Sequence, residues 1–167
     1  MSSKFSVIDI IQNHLRTLVN YDNGKYSKTD FFISFFIPFI IAATLIFYGQ
    51  LLNVRIVSDL LTAFSVFAAL LLNLLFVIYT AKTRESSKGG ERIDSLKIKL
   101  LNQTYNNIQF GILLSILEII FLILFLFLPY NSAIITGLSF LSLYIMFAFI
   151  AVLFMVLKRT SSIMNKE

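Results

Sequence analysis

The sequence predicts an all-α integral membrane protein, with four transmembrane helices and helical extensions that form a small cytoplasmic cap. Three observations lead there. The chain has 167 residues, is 57% hydrophobic and 14% charged, and has a mean hydropathy of +0.83. A soluble domain is about 45–50% apolar and about 25% charged. Four apolar runs, 31–52, 56–80, 108–128 and 132–157, reach the roughly 20 residues that a helix needs to cross a bilayer. Thirteen of the fourteen lysines and arginines lie on one side of those runs, because the 53–55 turn holds only Arg55 and the 129–131 turn none. The positive-inside rule then puts both termini and the 81–107 loop in the cytoplasm of a multi-pass bacterial inner (plasma) membrane protein.

Residues 1–30 form the cytoplasmic N-terminal segment, an amphipathic helix and a linker. Within KFSVIDIIQNHLRTLVN, Val7, Ile8, Ile11, Leu15, Leu18 and Val19 share one helix face. Asn23-Gly24 marks a turn. The polar face mixes Asp9, Gln12, Asn13 and Arg16 and is not strongly basic, which favours packing on protein over lying flat on anionic lipid. His14, the single histidine, lies beside that face.

The first run holds Phe32, Phe36 and Phe39 on one stripe. Pro38 frees the carbonyl of Ser34 and predicts a kink. The second run carries Asp59, Thr62, Ser65, Ala69, Asn73, Phe76 and Thr80 in steps of three and four, a polar stripe running nearly from one interface to the other. Arg55 and Asp59 have the spacing of an ion pair.

The 81–107 loop breaks at Gly89-Gly90 and then turns helical, which predicts one long helix from about Glu91 to Leu128. The second span is expected to project through about Arg84. On the third run, Thr104, Asn107, Gly111, Ser115 and Glu118 share a small, polar face. Glu118 stands inside ILLSILEIIFLIL, 112–124. An ionised carboxylate at mid-bilayer costs about 2.5–3.5 kcal/mol on insertion scales, and no basic residue lies in any span at that depth. Glu118 should therefore point into protein. Counting back from the 129–131 turn puts Tyr144 of the fourth run at the same depth, so Tyr144 or Ser115 is its expected hydrogen-bond partner. The fourth run also aligns Phe140, Tyr144 and Phe147. Residues 158–167 are a basic cytoplasmic tail.

Two readings of the polar residues compete. Small polar side chains let helices approach and bond across the contact, as in Ser65-xxx-Ala69 and Ala133-xxx-Gly137. Alternatively, the second span, with or without the third, lines a water-filled path. One four-helix subunit has little room for a pore, so a pore would be a symmetric ring of subunits. Phe32, Phe36, Phe39, Phe140 and Phe147 would supply a hydrophobic gate; otherwise they pack or face lipid.

No catalytic constellation, Gly-rich phosphate loop or HExxH appears, so neither an enzyme nor a cofactor is expected. The absence of cysteine excludes disulfides and thiolate metal sites. Lys88, Arg92, Lys97 and Lys99 are candidate contacts for an acidic ligand, although positive-inside topology already explains them.

The helix ERIDSLKIKLLNQTYNNIQFGILLSILEIIFLIL, together with the compact four-span layout, resembles small membrane proteins of bacterial anti-phage defence loci, of the Hailong channel-effector or Kiwa membrane-subunit kind. The resemblance implies an oligomeric effector that permeabilises the inner membrane when a cytosolic protein, or an anionic nucleotide or oligonucleotide, signals infection. The expected partners are the bilayer, further copies of the chain and that regulator, with no stable duplex nucleic-acid binding. The alternatives are a non-conducting scaffold or sensor subunit, and a small transporter component coupled to protons through Glu118.

Overall fold

The computed structural model describes residues 7–18, 31–86, 95–128 and 132–164. Among them the structure is helical: α1 (Val7–Thr17), a π-helical turn (Phe32–Phe36) continuing into α2 (Ile37–Phe47), α3 (Val54–Ser86), α4 (Ser95–Phe127) and α5 (Ser132–Met164). The expected turn at Asn23-Gly24, the break at Gly89-Gly90 and the helix start at Glu91 lie outside the described residues.

Helices α3, α4 and α5 are long and apolar enough to cross a membrane. The first apolar run forms a shorter helix, Phe32–Phe47, about 24 Å at 1.5 Å per residue, against a hydrocarbon core of about 30 Å. It stops because Gly49 takes a positive φ of 74° and turns the chain. The Leu52 amide then donates to Ser139 Oγ at 3.1 Å, which ties the turn to α5. At the other end, the π turn places Pro38 among the first positions of α2, where its missing N–H is tolerated. The irregularity expected from Pro38 is therefore this turn of wide helix. Reporter fusions after residue 30, within 85–92 and at residue 167 are all expected to read cytoplasmic. A first helix that failed to cross would give a periplasmic reading at residue 30.

The packing follows from one heptad stripe. Val57, Phe64, Leu71 and Ile78 recur every seven residues and are the buried residues of α3. Phe64, Leu71 and Ile78 meet Leu101, Ile108 and Leu114 of α4 and Ile145, Phe149 and Val152 of α5 in one core. A second cluster joins Ala42, Leu52, Val57, Leu122 and Leu143. Backbone neighbours run α3 to α4, α4 to α5 and α5 to α2, with α1 laid on α4. Helix α3 is thus at an edge of the bundle. Gly111 marks the closest approach: a Cβ there would meet Leu71 Cδ1 at 3.3 Å and Val152 Cγ1 at 3.6 Å.

Beyond the apolar core, α3 and α4 continue as an antiparallel pair. Lys97 pairs with Glu85 at 3.4 Å, and Lys82 sits 5.3 Å from the centre of the Tyr105 ring.

Helix α1 packs on protein through its C-terminal end, where Leu18 of the apolar face is buried beside polar His14 and Thr17. Val7, Ile8 and Ile11 are exposed, while His14, Thr17 and Leu18 are buried.

Candidate functional site

The two polar stripes go to opposite places. On α4, Thr104, Asn107, Ser115 and Glu118 are fully buried. On α3, Asp59, Thr62, Ser65, Ala69, Asn73, Phe76 and Thr80 are all exposed. The heptad of large apolar residues turns one face of α3 inward, so the polar face points away from the bundle. The structure therefore does not bring the two stripes together along a common path.

The α4 stripe is a ladder of internal bonds. Thr104 Oγ1 donates to the Leu100 carbonyl at 2.9 Å and Ser115 Oγ to the Gly111 carbonyl at 3.0 Å. Glu118 Oε1 accepts from Ser142 Oγ of α5. Neither Tyr144 nor Ser115 is its partner. Counting from the turn fixes depth but not rotation about the helix axis, and Ser142 is the residue rotated toward α4. Tyr144 instead meets Phe39 edge-on, with ring centroids 6.5 Å apart. Glu118 Oε2 is buried with no partner. Glu118→Gln keeps an acceptor for Ser142 and is expected to leave stability and assembly nearly unchanged. Glu118→Leu strands the Ser142 hydroxyl and should destabilise the α4–α5 contact by about 1–2 kcal/mol. Combined with Ser142→Ala, the loss should be smaller than the sum of the two, read by thermal unfolding in detergent.

Where α1 packs on α4, Asn107 Oδ1 lies 3.0 Å from His14 Nδ1 and 2.8 Å from Thr17 Oγ1, and Thr17 Oγ1 also donates to the His14 carbonyl at 2.7 Å. The His14 ring stacks on Phe110, with centroids 4.0 Å apart and 10° between planes. Arg159 reaches over from α5 and donates to the Thr17 carbonyl at 2.8 Å and the Gln103 carbonyl at 3.3 Å. Helices α1, α4 and α5 thus form one clamp. Sequence reasoning did not find it. The available signal was Asn107, a polar residue just where the third apolar run begins. Burial holds the His14 imidazole well below its ordinary value, down to about 4, with the positive Arg159 adding to the effect and the Asn107 hydrogen bond opposing it.

On the α3 stripe, the hydroxyls satisfy themselves. Thr62, Ser65 and Thr80 donate to the Ser58, Leu61 and Phe76 carbonyls at 3.1, 2.8 and 2.8 Å. Asn73 makes no such bond among the described residues. Asp59 and Arg55 are both exposed, and no ion pair joins them. Of the small pairs, Ser65 and Ala69 are exposed, and no neighbouring atom lies within 4 Å of a Cβ built on Gly137.

The aromatic stripes form a seam between α2 and α5. Phe39 meets Phe140 edge-on at 5.6 Å. Phe140 and Phe147 are partly buried against the second cluster, while Phe32 and Phe36 stack on each other and are exposed. Of the candidate acidic-ligand contacts, Lys97 is paired with Glu85 and Lys99 is half-buried. Lys88 and Arg92 lie outside the described residues. No protein-family model matches the chain, and no match was found among curated proteins or solved structures.

Proposed function

We propose that this chain is a membrane protein that assembles into a homo-oligomeric pore or membrane-permeabilising effector, controlled from its cytoplasmic side. One observation carries the proposal. A helix apolar enough to span a membrane presents an exposed stripe, polar at Asp59, Thr62, Ser65, Asn73 and Thr80, on the outer face of an edge position. Lipid is a poor solvent for Asp59 and Asn73, since each polar group left unpaired in hydrocarbon costs several kcal/mol. Copies arranged about an axis would turn these stripes toward one another, or toward a shared aqueous path, while the heptad core stays intact within each subunit. In this arrangement Glu118 is a structural acid between α4 and α5 and does not line the conduit. The α1 clamp, which joins α1, α4 and α5 at the cytoplasmic end, is the element through which a regulator would act.

The test is ion flux from liposomes reconstituted with the purified protein. Flux that scales more steeply than linearly with protein density supports an oligomeric pore. Sealed liposomes, together with a soluble partner recruited to the membrane, would favour the scaffold reading. The defence setting is supported by the architectural resemblance and is read by phage plating with and without the gene.

A further inference from the structure

Helix α3 begins with two opposite charges on its outward side, Arg55 and, one helical turn later, Asp59. Arg55 stands two residues before buried Val57 and Asp59 two residues after it, so each points about 160° away from the core side at 3.6 residues per turn. Asn73 stands in the same relation to buried Leu71. Both charged side chains are exposed, and neither is bonded or ion-paired to another described residue. Their spacing suits a pair within one helix, but base before acid is the weaker order at that separation.

Asp59 lies inside the apolar run 56–80. A charge within a membrane span is costly and is normally met paired with another. Its own subunit leaves Asp59 without such a partner, and a second copy supplies one. Copies inserted by the same rule share one orientation, so two α3 helices meet in parallel with every residue level with its counterpart. Straight across that contact, Asp59 meets Asp59 and Arg55 meets Arg55, and like charges repel. Crossed pairing turns both repulsions into attractions. The offset is four residues, about 6 Å at 1.5 Å per residue, within reach of an arginine side chain. Charges flanking the seam of parallel coiled-coil helices pair across in this way, and they set partner and orientation.

We propose that Arg55 of one copy pairs with Asp59 of the next, and that this crossed ion pair fixes the parallel register of the α3 contact at the end that follows the Gly49 turn. The pairing rests on the reading that the outer stripe of α3 joins copies. Charge complementarity commits the surface to one partner, a second copy of this chain in the same orientation.

The test uses the full chain in native membranes, with Ala69→Cys as a crosslinking reporter in a protein that has no cysteine of its own. An acidic copy carries Arg55→Asp and a basic copy Asp59→Arg, each with its own tag. Either copy alone should lose most of the disulfide-linked dimer that the parent reporter chain gives. Expressed together, they should recover it as dimers bearing both tags. One chain with both changes restores the pair in reverse, keeps the charge count at that end and should match the parent. Undiminished dimers in the acidic and basic copies alone, no gain on co-expression, or no recovery in the reversed chain would each overturn the pairing while the stripe reading stands. A parent chain without dimers would overturn both. A second measurement needs no charge reversal: differently tagged Arg55→Cys and Asp59→Cys copies, expressed together, should give more mixed disulfides than like ones. An excess of like disulfides would overturn the crossed pairing.

Discussion

Replacing Asn107 with leucine is expected to release α1 from the bundle. The side chain is 0% exposed, and its single oxygen accepts from both His14 and Thr17. Leucine fills a similar volume but strands His14 Nδ1 in an apolar setting, while Thr17 Oγ1 keeps the His14 carbonyl as acceptor at 2.7 Å. At about 1–3 kcal/mol for a stranded buried group, the loss falls on the docking of α1. Hydrogen exchange should rise selectively over Val7–Thr17 while α4 and α5 stay protected. Asn107→Leu combined with Thr17→Val should cost less than the two changes added. Acid should reproduce the effect without mutation. His14 titrates at about 4 in the folded chain and at 6.5 when free, so between those values the undocked form binds more protons. Docking of α1 is therefore strongest above pH 6.5 and is lost as pH falls through about 4. His14→Phe should flatten that dependence. If docking controls the pore, flux in the wild-type chain should change over the same interval.

The second large effect is expected at Asn73. Its amide is exposed on an apolar helix and, unlike the neighbouring hydroxyls, makes no bond to its own backbone. Between copies it can donate and accept at once, which makes it self-complementary about a two-fold or ring contact. A hydrogen bond between membrane helices is worth about 0.6–2 kcal/mol, and closure of a ring multiplies the loss over every contact. Asn73→Leu should therefore shift the mass in detergent from a defined oligomer toward monomer and reduce liposome flux severely. Thermal stability of the subunit should change little, because the core lies on the opposite face of α3. Thr62→Val and Ser65→Ala, whose hydroxyls serve only their own helix, should leave mass and flux close to wild type.

Hydropathy gave the long apolar helices, because the length and composition of an apolar run need no knowledge of neighbours. Periodicity then gathered Thr104, Asn107, Ser115 and Glu118 correctly onto one face, and Asp59 to Thr80 onto another. Periodicity does not say which face turns inward. The heptad Val57, Phe64, Leu71 and Ile78 was present in the second run and decided it: bulk fills the core, so the polar face of α3 is excluded. The same rotational ambiguity hid Ser142 as the donor to Glu118. The early end of α2 was harder still. Leu51 and Leu52 continue the hydropathy of the run, and only the φ of Gly49 ends the helix.

The central claim is that the exposed stripe of α3 joins one copy to another. The chain has no cysteine, so single substitutions give clean crosslinking sites. Cysteines placed at Ser65, Ala69 and Asn73 would be oxidised in native membranes, alongside exposed Leu70 on the flank of the helix and buried Leu71 on its core face. Disulfide-linked dimers at the three stripe positions, with little or none at Leu70 and Leu71, is the expected pattern. Crosslinking at Leu70 as strong as at Asn73, or none at any stripe position while the protein still conducts, would contradict it.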